Sequence, residues 1–307
     1  MGTNNVSTVN ISVIVCTYNR QYILPICLQS LVDQTIGRGL YEVIVVNNHS
    51  TDGTQNIAES FVEKYENFRV VFEKKQGLSQ ARNRGWKEAQ GNYIAYIDDD
   101  AIAYPDWISS IVDFIERHPN AGVFGGPYDA FYLVSKPDWF PPEYGSLHLG
   151  KQERCIKLGS EWITGSNMVI RKELFYKYGG FDVTLGMIGC KAAYGEEVNF
   201  FLSMHDKGSR IFYVPSIRVA HLVAEYKMSL SWLLLSGFSA GRGYELTFNV
   251  NRSLRSHLVS FVKELGMAMY VMVRPVRIPF QRRLYYSLYR LYYEAGAVVE
   301  HISEKRS

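Results

Sequence analysis

Three consecutive carboxylates, Asp98, Asp99 and Asp100, close the apolar run "YIAYI" at residues 93–97. Adjacent like charges repel, and acidic residues are poor strand formers, so such a cluster at a strand end calls for a compensating cation. Hard divalent ions such as Mg²⁺ and Mn²⁺ take oxygen ligands and are often shared with substrate phosphates. On an extended segment, side chains two apart share a face. Asp98 and Asp100 then point together, and Asp99 points elsewhere. The plainer reading is a solvated acidic loop that caps the next helix. The apolar run directly before the trio counts against it.

The flanking pattern supplies the elements that must hold this cluster. "NISVIVCTYNR", "YEVIVVNN", "FRVVFEK" and "NYIAYID" are short β-branched or aromatic runs that read as buried parallel strands. Between them, "QYILPICLQSLVDQT", "HSTDGTQNIAESFVEKY" and "GLSQARNRGWKEAQG" carry helical spacing. The last has Ser79 as expected N-cap and Gly91 just past its end. "PDWISSIVDFIERHP" reads as a helix opened by Pro105. Strands alternating with helices predict an open α/β sheet with helices on both faces. In such sheets ligands bind beyond the carboxyl ends of the strands, where the three Asp lie. Further on, "EWITGSNMVIR" and "RIFYVPSIRVAHL" read as one strand each. "KELFYKYGG" and "YGEEVNFFLSMHDKG" read as helices, the second ended by Gly208, and from 228 the pattern is helical.

Composition bounds the function. The chain has 307 residues, 47% hydrophobic and 21% charged, enough for a substantial core. A net charge of +3 names no partner, and no nucleic-acid contact is expected. Residues 274–307 hold seven Lys/Arg against three Glu, a net of +4, so the first 273 residues sum to −1. Cys16, Cys27, Cys155 and Cys190 form no CxxC pair, which predicts reduced thiols rather than a zinc site or a disulfide framework. The polar start "MGTNNVSTVN" predicts no signal peptide, and no run reaches the roughly 18 apolar residues of a spanning helix. A cytoplasmic protein, peripheral at the inner face of a membrane, is expected. Dinucleotide binding fails because no G-x-G-x-x-G follows the first strand.

Five motifs in order resemble the family 2 glycosyltransferases of GT-A fold: "VIVCTYNR", "VIVVNNHSTDGT", "GLSQARNRGWKEAQGNYIAYIDDD", "ITGSNMVIRKELFYKYGGFD" and "YGEEVNFFLSMHDKG". The resemblance covers roughly residues 10–225. It implies a metal-assisted, inverting transfer of a sugar from a nucleotide-diphosphate donor, a UDP-sugar first, to a saccharide or lipid-linked acceptor in polysaccharide or glycan biosynthesis. It also implies residue roles. Asp100, with Asp98 and His221, would hold Mg²⁺ or Mn²⁺. Thr17, Tyr18, Arg20, Asn47, Arg82, Asp98 and Asp99 would line the nucleotide-sugar pocket, with Arg82 near the base or a phosphate. Asn47 stands where many relatives have an Asp that recognises uracil; an amide offers both donor and acceptor. Glu197 maps to the general base, in place of the family's usual Asp, and Glu196 would contact the acceptor. Trp162 and Gly165 lie on the acceptor side, and Trp139 and Phe140 are further candidates because aromatic rings stack on sugars.

The expected organisation is a disordered N-terminus (1–9), a glycosyltransferase domain (10–225) and a helical, basic extension (226–307). The domain divides into a nucleotide-sugar half (about 10–127) and an acceptor half (about 128–225). The tail helix "RRLYYSLYRLYYEAGAVVEHI" is amphipathic and suits peripheral membrane contact, packing on protein or a homodimer face. Two other functions remain in view, a sugar nucleotidyltransferase and a non-catalytic carbohydrate- or partner-binding scaffold. The first needs a Gly- and Lys/Arg-rich loop after the first strand, and "CTYNRQY" lacks glycine.

Overall fold

The computed structural model describes residues 11–187, 195–205, 208–248, 253–273 and 278–304. The N-terminal segment expected to be disordered lies outside them, as does Cys190. The chain forms two compact units. The first holds residues 11–129, 146–187, 196–205 and 208–221 among those described. Its strands are β1 (Ile11–Thr17), β2 (Tyr41–Asn47), β3 (Phe68–Phe72), β4 (Tyr93–Asp98), β5 (Ala101–Ala103), β6 (Val123–Gly125), β7 (Tyr128–Phe131), β8 (Arg154–Cys155), β9 (Asn167–Arg171), β10 (Ile211–Tyr213) and β11 (Val219–Leu222). Its helices are α1 (Leu24–Val32), α2 (Thr54–Val62), α3 (Leu78–Glu88), α4 (Trp107–Arg117), α5 (Lys172–Tyr178) and α6 (Glu196–His205).

Eight strands form one mixed sheet in the order β3-β2-β1-β4-β9-β6-β10-β8. β1 to β4 are mutually parallel, and β9 turns antiparallel against β4. Both faces are covered, which is why these strands read as continuous apolar runs. Ile11, Val13 and Val15 face a core closed by Leu24 and Leu28 of α1 and Trp107 and Phe114 of α4. Ile14, Ile44 and Val46 face the other, closed by Trp86 of α3, Phe175 of α5 and Phe201 of α6. The open α/β architecture expected from the alternating pattern is present.

Three local readings are corrected. Ser79 is not an N-cap: α3 is capped at Gly77, and the buried Ser79 hydroxyl donates to the Leu185 carbonyl at 2.7 Å. α4 starts at Trp107, two residues after Pro105. "RIFYVPSIRVAHL" is two strands: β10 joins the large sheet, whereas β11 joins a three-stranded sheet of order β5-β11-β7. Pro215 lacks the N–H a ladder needs, and Ile217 N bonds back to Val214 O in a turn.

The second unit holds residues 130–145 and, from 222 on, the helices α7 (Leu230–Phe248), α8 (Leu254–Val273) and α9 (Phe280–Glu304). Phe140, Val223, Met228 and Leu233 form its core. Phe140 is fully buried there, so it packs the core and cannot stack on a sugar. Residues 138–140 are pinned from α9, where the Arg282 guanidinium donates to the carbonyls of Asp138, Trp139 and Phe140. α9 packs on both α7 and α8. Gly241 and Gly296 allow the close approach to α7: a Cβ would lie 1.9 Å from Tyr293 O and 2.0 Å from Phe238 O respectively.

Candidate active site

The carboxyl ends of β1, β2 and β4 lie side by side, with Thr17 opposite Asn47 and Cys16 opposite Asp98. Asp98 ends β4, and Asp99 and Asp100 form the turn into β5. β11 runs antiparallel to β5 with His221 opposite Ala101, so this ladder brings His221 beside Asp100 across 121 residues of sequence. His221 Nε2 lies 3.2 Å from Asp100 Oδ1 and 3.4 Å from Asp98 Oδ2. Tyr128 packs on the imidazole with centroids 5.9 Å apart.

Ligand atoms of Asp98, Asp100 and His221 all lie within 4.8 Å of one another. Adjacent ligands around an octahedral Mg²⁺-sized ion are about 3 Å apart, given metal–oxygen distances of about 2.1 Å. The two separations at His221, 3.2 and 3.4 Å, are close to that spacing. Two carboxylates with one imidazole suit a divalent ion that accepts both oxygen and nitrogen.

Asp99 faces away from this trio toward Arg20, whose Nε lies 3.5 Å from its Oδ1; Arg20 Nη2 also lies 3.7 Å from Asp100 Oδ2. Burial, and then the Asp100 charge, push the Asp99 carboxyl up to about 7. Arg20 is held by a clasp between the loops after β1 and β2. Arg20 N donates to Thr54 Oγ1 at 2.8 Å, Asn19 N to Ser50 Oγ at 3.0 Å, and Thr51 N to Asn19 Oδ1 at 2.8 Å. Sequence reasoning missed this clasp, although "HSTDGT" is dense in residues whose side chains bond nearby backbone. Asn47 is buried and engaged: its Oδ1 accepts from Ser50 N at 2.9 Å and its Nδ2 donates to Gln55 Oε1 at 2.6 Å. Thr17 is buried at the strand end, and Tyr18 is half-buried. Cys16 is held as a thiol, since burial raises its pKa to about 12.

Behind Asp98 lies Arg82, on α3 and 3% exposed. Its Nη1 donates to Glu196 Oε1 at 2.5 Å, and its Nη2 lies 3.8 Å from Asp98 Oδ1. Its guanidinium also faces the rings of Phe181 and Tyr96 at 5.6 and 6.0 Å. Burial opposes the Arg82 charge, but Glu196, Glu197 and Asp98 outweigh it and raise its pKa. Gly165 lies against this guanidinium, where a Cβ would stand 2.0 Å from Nη2. Arg82 and Glu196, read from sequence as substrate contacts, are thus paired with each other in the interior.

Glu196 and Glu197 open α6. Glu197 Oε2 is buried with no hydrogen-bond partner. Burial first, then the Glu196 charge, push the Glu197 carboxyl up to about 8, with Arg82 pulling it down. A carboxyl with one unengaged oxygen and a pKa near neutrality can accept a proton. Trp162 is 48% exposed, while Trp139 is partly buried against the core of the second unit.

Solved structures share this architecture. A mannosyltransferase from Pyrobaculum calidifontis, in complex with GDP-Man and Mn²⁺, matches 96% of this chain and 87% of its own, with a TM-score of 0.63 and 17% identity. S. aureus TarS 1–349, in complex with UDP-GlcNAc, matches 97% of this chain and 92% of its own, with a TM-score of 0.59 and 18% identity. The fold is that of the GT-A glycosyltransferases. Residues 12–179 match the family described as "Glycosyl transferase family 2", and the chain belongs to that family. Among its relatives, the glucosyl-dolichyl phosphate glucuronosyltransferase of Haloferax volcanii is 29% identical over 237 residues, 75% of each chain. The succinoglycan biosynthesis protein ExoM of Rhizobium meliloti is 28% identical over 240 residues, 76% of this chain and 74% of its own.

Proposed function

We propose that this glycosyltransferase moves a sugar from a nucleotide-diphosphate donor, a UDP-sugar first, to a saccharide or lipid-linked acceptor, with inversion. The observation that carries the reading is the convergence of Asp98, Asp100 and His221 at the end of β4, in the same unit as a buried carboxylate with one unengaged oxygen, Glu197. A divalent cation bound by the trio supplies Lewis-acid neutralisation of the charge that builds on the departing diphosphate. The imidazole ligand favours Mn²⁺ over Mg²⁺, which prefers an all-oxygen shell.

The chain's own residues do the rest. Glu197 takes the proton of the acceptor hydroxyl as its oxygen bonds to the anomeric carbon and the bond from that carbon to the diphosphate breaks. A single base and a single displacement invert the centre. Arg82 tethers Glu196 and faces Asp98, which fixes the start of α6 relative to β4. Glu196 is therefore a positioning residue, and its charge raises the basicity of Glu197. Thr17, Tyr18, Asn47 and Asp99 line the nucleotide side, with Arg20 oriented by Asp99 and Asp100 toward phosphate. Gly165 keeps room for Arg82, and Trp162 offers a face to the acceptor sugar. The domain division near residue 225, peripheral membrane contact through the C-terminal helices and a homodimer belong to the same reading. A lipid-linked acceptor would suit the membrane contact.

Calorimetric titration of UDP with and without Mn²⁺, on the wild type and Asp100→Asn, tests it. Binding that needs both the ion and Asp100 is expected. Binding indifferent to both would overturn the metal-diphosphate site.

A further inference from the structure

The amphipathic helix legible in the sequence, now α9, lies between α7 and α8, with Ser287, Ala297 and Glu300 buried. The uncovered apolar face belongs to α8 instead. His257 and Ala268 point inward, whereas Val259, Val262, Met269 and Val273 are 62%, 65%, 60% and 81% exposed. Near the start of α8, Leu254, Leu258, Val259 and Val262 line a shallow groove together with Arg255. Monomeric soluble proteins rarely leave a continuous apolar strip of this kind open to water.

Charge selects what covers it. Residues 254–290 hold seven Lys/Arg (Arg255, Lys263, Arg274, Arg277, Arg282, Arg283 and Arg290) against one Glu, a net of +6, so the other 270 residues sum to −3. Arg255, Lys263 and Arg290 are exposed. A second copy laid on this face would bring the exposed Arg255 and Lys263 up against their like, which disfavours a self-contact. Among the described residues no helix is long and apolar enough to cross a membrane, and Arg255, Lys263 and Glu264 interrupt α8. An exposed apolar face with cationic neighbours, on a helix that cannot span, matches a helix lying in the plane of an anionic bilayer.

We propose that the outer face of α8 docks this protein on a membrane surface bearing anionic headgroups. This extends the membrane contact of the reading above and does not depend on the donor chemistry. The test is sedimentation of the full chain with phosphatidylcholine vesicles, with and without phosphatidylglycerol. The wild type is compared with Val259→Asp/Val262→Asp and Arg255→Glu/Lys263→Glu, all at exposed positions. The expected result is binding at least about tenfold tighter to the anionic vesicles and weakened by salt. Each double variant should lose at least about tenfold. Equal binding to both vesicle types, or no loss in the Val variant, overturns the proposal. So does a wild-type dimer in light scattering that Val259→Asp/Val262→Asp dissolves. UDP titrations on the same proteins separate the two readings: vesicle binding without nucleotide binding sinks the donor assignment and leaves the α8 face standing.

Discussion

Arg82 and Glu196, 114 residues apart in sequence, form an ion pair of 2.5 Å in which both side chains are about 5% exposed or less. Removing one partner of such a pair strands the other charge in the interior, at a cost of roughly 3–5 kcal/mol. Arg82→Met should therefore destabilise by about that much in urea unfolding, because Glu196 and Glu197 then face each other without a cation. Adding Glu196→Gln should recover part of the loss. A single-variant cost under about 1 kcal/mol, the size of an exposed pair, would show that water reaches the site.

The three adjacent aspartates should differ in their effect on metal binding. Asp98 and Asp100 meet at His221, whereas Asp99 faces Arg20. Asp100→Asn should weaken Mn²⁺ binding about a hundredfold or more, and His221→Ala about tenfold; Asp99→Asn should leave it within about threefold. Titration of Mn²⁺ alone, followed by electron paramagnetic resonance, reads this without a turnover assay. Equal losses across the trio would refute the split.

Glu197 sets a pH dependence. Its folded pKa, about 8, lies above the ordinary value of 4.5. The proton is therefore held more tightly in the folded state. The stability it contributes is complete below pH 4.5 and is lost as pH rises toward 8. As the proposed base, Glu197 would be competent only when ionised, so kcat/KM should climb about tenfold per pH unit below 8 and level off above it. Glu197→Gln should lower kcat by about 10²–10⁴ and abolish the climb. A flat profile in the wild type would count against Glu197 as the base.

Gly165→Ala probes the space around Arg82. The new methyl would overlap the guanidinium, so Arg82 must shift or the loop before β9 must move. Overpacking of this kind costs about 1–3 kcal/mol. Activity and metal-dependent nucleotide binding should both fall, because the atom met first, Arg82 Nη2, faces Asp98 and the same guanidinium holds Glu196. A variant with wild-type activity and stability would mean the loop yields freely.

Much of this was written in local pattern. β1 to β4 and their helices could be read because each strand is a short apolar run buried on both faces and each helix has its own apolar spacing. The acidic trio could be placed at a strand end for the same reason. Chemistry carried by residue type, two carboxylates on one side of an extended segment, was also local. The partners of those residues were not. His221 reaches Asp98 and Asp100 only because β11 leaves the large sheet after Pro215 and pairs with β5, a three-residue strand with no pattern of its own. Arg82 and Glu196 were each read as a substrate contact, and only the packing of α3 and α6 into one core shows them as a buried pair. Phe140 was misread for a related reason, and among the three covers open to the tail helix the structure shows α9 packed on α7 and α8. An aromatic or amphipathic sequence states that a side chain must be covered, and tertiary packing decides whether core, sugar or lipid covers it.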